Sequence, residues 1–171
     1  MSDDKELDVL DLPDEVRALV AECEVTGRRT AFTRKGRPVV MLTSYDEYLA
    51  LRETVEIVSN GAFLARVTAA EEQVKRGAMV LVEDLMWNDR LRIAESVQAE
   101  WKALGEDDRA LVRNALQTID DDPIAGAPLF DPLGGLWSFR TGSVRIVYRI
   151  MSEARFVVIL SIARAEEKKR T

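Results

Sequence analysis

Histidine is missing from the sequence altogether, and cysteine occurs once, at Cys23. The first absence excludes Ser/His and Cys/His nucleophilic catalysis as well as histidine metal sites. The second excludes an internal disulfide and a cysteine zinc cluster, so no metal and no other cofactor is expected. Cys23 stands at helical spacing from Val16, Leu19 and Val20, which reads as a buried structural thiol. No apolar run approaches the roughly 20 residues that span a bilayer. The start, Met1-Ser2-Asp3-Asp4, is acidic where a signal peptide is basic. A cytoplasmic protein with no membrane partner is therefore expected. Phosphate-loop and nucleophile motifs are also missing, which leaves any chemistry to Arg, Lys, Asp, Glu, Tyr or Ser.

An apolar content of 47% over 171 residues is enough to bury a core, as one ordinary domain or as two small ones. The net charge of −6 is unevenly spread: residues 1–89 hold 11 basic and 18 acidic side chains, residues 90–171 hold 13 and 12. An acidic first half beside a nearly neutral second half suggests two units with different tasks.

Pro13 followed by Val16, Leu19, Val20 and Cys23 predicts an amphipathic helix that stops at Gly27. Thr30–Thr33 and Val39–Leu42 read as strands around the turn Arg34-Lys35-Gly36-Arg37. Ser44-Tyr45-Asp46-Glu47 matches a capping box, so a helix with the apolar face Tyr48, Leu51, Val55 and Val58 should follow and end at Asn60-Gly61. Phe63, Val67, Ala70 and Val74 mark another helix, closed by Lys75-Arg76-Gly77, and Met79–Val82 has the look of a strand. The segment Leu85–Asp89 is the natural boundary. Beyond it come a strand at Leu91–Ile93, a helix carrying Val97, Trp101 and Leu104, and, after Gly105, a helix with Leu111, Val112, Ala115 and Ile119. Asp120-Asp121-Asp122-Pro123 ends that helix in a loop that runs to Gly135. Leu136–Arg140, Val144–Ile150 and Arg155–Ile162 are then three strands of an antiparallel meander, with turns at Thr141-Gly142-Ser143 and Ser152-Glu153-Ala154.

Two stretches resemble known families. Gly27-Arg28-Arg29-Thr30-Ala31-Phe32-Thr33-Arg34-Lys35-Gly36-Arg37-Pro38-Val39-Val40, with Thr43-Ser44-Tyr45-Asp46-Glu47-Tyr48, resembles the core of the Phd/YefM antitoxins; the similarity spans about residues 8–85. That resemblance implies dimerisation, binding of operator DNA to repress the protein's own genes, and a following segment that covers a toxin. It makes Phe63, Val67, Ala70 and Val74 the candidate neutralising interface. Independently of family, Arg28, Arg29, Arg34, Lys35 and Arg37 crowd five cations into ten residues of an acidic half, a cluster suited to phosphate contacts. A solvated turn is the plainer alternative.

Asp122-Pro123, Pro128-Leu129, Leu133-Gly134-Gly135-Leu136-Trp137-Ser138-Phe139-Arg140 and Gly142-Ser143-Val144-Arg145-Ile146-Val147-Tyr148-Arg149 resemble the RelE/ParE toxins, and Met86-Trp87-Asn88 reads like a toxin's own start. In the ribonuclease branch, the resemblance implies contact between Arg140 and the scissile phosphate, where a guanidinium offsets the charge of the transition state. Arg145 and Arg149 follow on the next strand, Arg145 also fitting a structural ion pair, and Tyr148 reads as a core residue. The tail departs from that branch: Ala163, Arg164 and Ala165 stand where glycine, His or Lys, and arginine are usual, and no tyrosine follows. Proton transfer would fall to Lys168, Lys169 or a carboxylate.

The expectation is an α+β protein: a Phd/YefM-like DNA-binding and dimerisation domain at 1–60, a toxin-covering segment at 61–86, and a RelE/ParE-like toxin at 87–171, built as a helical hairpin on an antiparallel sheet. The candidate catalytic set is Arg140, Arg145, Arg164 and Lys168. Three activities stay open for the toxin half: a ribosome-dependent mRNA endonuclease, a gyrase inhibitor, and a decayed module serving structure and repression. The expected partners are operator DNA and further copies of the chain, with ribosome-bound mRNA or gyrase as the target. Cis and trans neutralisation, and a natural or an engineered join, are equally compatible with the sequence.

Overall fold

The computed structural model of the protein describes residues 6–80, 90–153 and 155–164. They fall into two compact units, one running to Leu49 and the other starting at Ala50. In the first, a short 3-10 turn at Val9–Asp11 precedes α1 (Asp14–Thr26). Asp14 and Glu15 occupy the first turn of α1, where free amides favour acid, and the helix closes on Gly27 at φ 66° with its N–H donated to the Cys23 carbonyl. Cys23 is buried. Strands β1 (Thr30–Arg34) and β2 (Arg37–Leu42) pair antiparallel, with Lys35 and Gly36 at positive φ forming the turn. Such a turn matches the right-handed twist of its strands. At the start of α2 (Tyr45–Ser59) the Ser44 hydroxyl accepts from Glu47 N at 3.2 Å. The expected capping box is thus half formed. The Glu47 carboxylate accepts instead from Arg29 Nε at 2.6 Å and from the Thr43 hydroxyl.

The second unit holds the later turns of α2, then α3 (Gly61–Lys75), β3 (Met79–Val80), β4 (Leu91–Ala94), α4 (Val97–Ala103), α5 (Glu106–Asp121), β5 (Ala127–Pro128), β6 (Leu136–Thr141), β7 (Val144–Met151) and β8 (Phe156–Arg164). One sheet runs in the order β3-β4-β8-β7-β6-β5. β6, β7 and β8 form the expected antiparallel meander, whereas β4 lies parallel to β8, the two being separated in the chain by the helical hairpin, the loop and strands β5 to β7. β8 is buried from Val157 to Ile162, in keeping with an apolar run interrupted only by Ser161 and with its central place. One core cluster joins Phe63, Val67 and Ala70 of α3 to Val97, Trp101, Val112 and Ile119 of the hairpin and to Ile146, Val158 and Leu160 of the sheet. Tyr148 is fully buried; its hydroxyl donates to the Pro123 carbonyl at 2.8 Å and accepts from Gly126 N at 3.2 Å, which pins the loop that leads to β5. Burial pushes its pKa up to about 12.

Two sequence expectations are corrected. The face of α2 that turns inward is Ala50, Glu53, Thr54 and Ile57, while Tyr48, Leu51 and Val55 are exposed and Val58 is half-buried. Both stripes have helical spacing, and the buried one contains a charged residue, so apolarity selected the wrong side. The loop after α5 also contains a short strand, β5, paired with β6. Asn60-Gly61 does end α2, and Asn60 also caps α3 by accepting from Phe63 N at 3.0 Å. Leu81 and Val82, the boundary Leu85–Asp89 with Met86-Trp87-Asn88, Ala154 in a turn, and the tail Ala165–Thr171 lie outside the described residues. No helix among the described residues is long and apolar enough to cross a membrane.

Candidate functional site

Strand pairing sets Arg140 of β6 directly opposite Arg145 of β7. Two like charges facing each other across a ladder repel, so the pair needs an anion between them. That anion comes from α2. Arg140 Nε donates to Glu53 Oε2 at 2.7 Å, Arg145 Nε to Glu53 Oε1 at 2.5 Å, and Arg145 Nη2 to Glu56 Oε2 at 2.7 Å. Arg140 also pairs with Glu56, and the Ser138 hydroxyl donates to Glu53 at 2.6 Å. Glu53 and Arg145 are 6% and 7% exposed, so neither charge has water to fall back on. The spacing of Glu53 and Glu56, three residues apart on one helix, presents both carboxylates to the two guanidiniums.

Further polar contacts tie α2 and α3 to the rest of the same unit. The Thr54 hydroxyl accepts from Phe130 N at 3.0 Å, Gln73 Oε1 accepts from Ser96 N at 3.0 Å, and Glu71 pairs with Arg149. Between them lies the apolar face of α3. Phe63, Val67 and Ala70 are 3% exposed or less, and Val74 packs partly buried against the same core. The candidate catalytic residues divide. Arg140 and Arg145 come together, Arg164 pairs with Asp108 at 2.7 Å with its own side chain exposed, and Lys168 lies outside the described residues. Sequence reading missed Glu53, Glu56, Glu71 and Gln73. The trace left by the three glutamates was the surplus of acid in the first half of the chain; Gln73 left none.

Arg145 and Glu56 also line a cavity of about 1130 Å³, with Phe63, Arg66, Glu100, Asp108 and Arg164 among its other walls. Glu100 of α4 accepts from Ile162 N at 2.7 Å and from the Ser161 hydroxyl at 2.9 Å, on the edge of β8 beyond the end of β4, and Arg66 of α3 lies 3.5 Å away. Burial raises the Glu100 carboxyl against the lowering pull of those donors. Asp108 shifts the other way, held low by Arg164 and the Ser143 hydroxyl. The cavity therefore sets three guanidiniums beside three carboxylates.

In the first unit, the five basic candidates also divide. Arg28 pairs with Glu22 and Arg29 with Glu47, while Arg34, Lys35 and Arg37 at the hairpin tip are exposed and make no ion pair among the described residues.

A family model described as the ParE toxin of type II toxin-antitoxin system, parDE, matches residues 80–168, more than half of the chain. The antitoxin RelB of Mycobacterium tuberculosis is 34% identical over 74 residues, 43% of this chain and 75% of the antitoxin. Among solved structures, the toxin–antitoxin complex RelBE2 from Mycobacterium tuberculosis aligns at 30% identity over 44% of this chain and 95% of that chain, with a TM-score of 0.42. The isolated E. coli RelE toxin aligns at 22% identity over 46% of this chain and 86% of its own, also with a TM-score of 0.42. The chain belongs to the ParE toxin family of type II toxin–antitoxin systems through residues 80–168, and the RelB-like region ahead of them makes it an antitoxin and a toxin fused in one polypeptide.

Proposed function

We propose that the chain is a self-neutralised toxin: residues from Ala50 through the covering segment, which ends near residue 86, hold the toxin half, residues 87–171, inactive. The hairpin half binds operator DNA as an autorepressor, and copies of the chain pair through it. The observation that carries the neutralisation is the saturation of Arg140 and Arg145 by Glu53 and Glu56. Removing the carboxylates leaves a buried guanidinium unpaired, at a cost of about 3–5 kcal/mol, and that cost is lowered if the acidic helix leaves the strands. DNA binding is supported by the three exposed cations at the hairpin tip, which make no ion pair among the described residues, and pairing of copies by the exposed Phe32, Val39, Val40 and Met41 on that hairpin.

The test is growth. Induction of the wild-type chain is expected to be tolerated, and the full chain carrying E53A/E56A to arrest growth. Adding R140A/R145A should restore growth. Cleavage of ribosome-bound mRNA and supercoiling by gyrase then identify the target. Normal growth of a folded E53A/E56A chain would overturn the neutralisation reading.

A further inference from the structure

The contacts that hold the α2–α3 segment are of two kinds. Those of α3 are apolar: Phe63, Val67 and Ala70 lie inside the same cluster as β8 and the helical hairpin. Those of α2 before Ile57 are chiefly ionic and polar, made by Glu53, Thr54 and Glu56 on Arg140, Arg145 and Phe130 N. Ile57 is the buried residue of α2 that joins the core, and it stands just before the turn at Asn60. Apolar burial has no substitute in water, whereas a carboxylate on a guanidinium is replaceable by any other anion of matching shape. A route exists for that replacement, because Arg145 and Glu56 face the open cavity, whose other two guanidiniums, Arg66 and Arg164, are paired there with Glu100 and Asp108.

We infer that the Arg140–Arg145 pair is an anion site whose resident occupant is the chain's own Glu53–Glu56 pair. Residues 50–56 form a latch over it that a phosphate group displaces, while α3 stays anchored in the core. This rests on the neutralisation reading and deepens it. The segment is not shed as a whole: it pivots near Ile57, and the grip on the toxin half competes directly with an incoming phosphate. Two guanidiniums on neighbouring strands present forked donors to phosphate oxygens as they do to the two carboxylates.

The test uses the full chain, with amide hydrogen exchange and calorimetric binding. Inorganic phosphate and a single-stranded RNA hexamer are the two probes. The hexamer should speed exchange in residues 50–56 of the wild-type chain and leave residues 63–74 protected. E53Q/E56Q should tighten hexamer binding by about tenfold or more, and R140Q/R145Q added to it should abolish the gain. The same exchange pattern with phosphate alone identifies a free phosphate group as sufficient; a response to the hexamer only identifies a phosphodiester chain. Loss of protection in both segments together, or binding indifferent to E53Q/E56Q, overturns the latch. Growth separates the two proposals: E53Q/E56Q that binds RNA but does not arrest growth leaves the latch standing and removes the neutralised toxin, and arrest with both segments released does the reverse.

Discussion

A guanidinium at 7% exposure survives only where its charge is matched, and Arg145 is matched twice, by Glu53 and by Glu56. Glu100 has the opposite problem. Its carboxylate is tied to β8 by Ile162 N and the Ser161 hydroxyl, yet burial outweighs these donors and raises its pKa. A carboxyl raised above its ordinary value of 4.5 favours the folded state below that pH and withdraws the contribution as pH rises through the folded value. Gln at this position keeps a polar carbonyl for the strand edge and does not titrate. The stability gap between wild type and E100Q, read from urea midpoints, should therefore move against wild type as pH is raised from 4.5 toward neutrality. A gap that is flat with pH, or moves the other way, contradicts the assignment. Asp108 has the reverse sign, so acidification through its depressed pKa weakens its pair with Arg164.

At the scale of elements, legibility follows chemistry. The meander β6-β7-β8 was readable because turn residues separate apolar strands, and α3 because its inward face is apolar at helical spacing. α2 was readable as a helix but not in orientation, since the residues it turns inward include Glu53, and no periodicity of apolar residues reports a buried acid whose partners lie on distant strands. Arg140 and Arg145 were legible as candidates; their pairing across strands required the register. The basic hairpin shows the same limit. Sequence put five cations there, and the fold leaves Arg34, Lys35 and Arg37 without acidic partners among the described residues. R34A/K35A should accordingly weaken operator binding in a mobility-shift titration and reduce its salt dependence, since about two fewer counterions are released. Thermal unfolding should barely change, because both side chains are exposed. Unaltered binding would return the cluster to a solvated turn.

The two units differ in how well each buries its own apolar surface. The unit starting at Ala50 has a continuous core, whereas in the unit before it the hairpin leaves Phe32, Val39, Val40 and Met41 between 38% and 62% exposed. An isolated two-stranded hairpin is marginal in water, and a second copy laid on one of its faces would supply the missing burial. Phe32 and Val40 are directly paired across the hairpin and so share one face. V40K places a charge at the centre of that face without touching the core cluster of the other unit. The wild-type chain should sediment as a dimer at micromolar concentration, with the unfolding temperature of the hairpin half rising with protein concentration. V40K should sediment as a monomer and lose operator affinity, while the transition of the sheet unit stays in place. A V40K chain that remains dimeric would move the contact elsewhere, to α2, where Tyr45, Tyr48, Leu51 and Val55 form the other exposed apolar row.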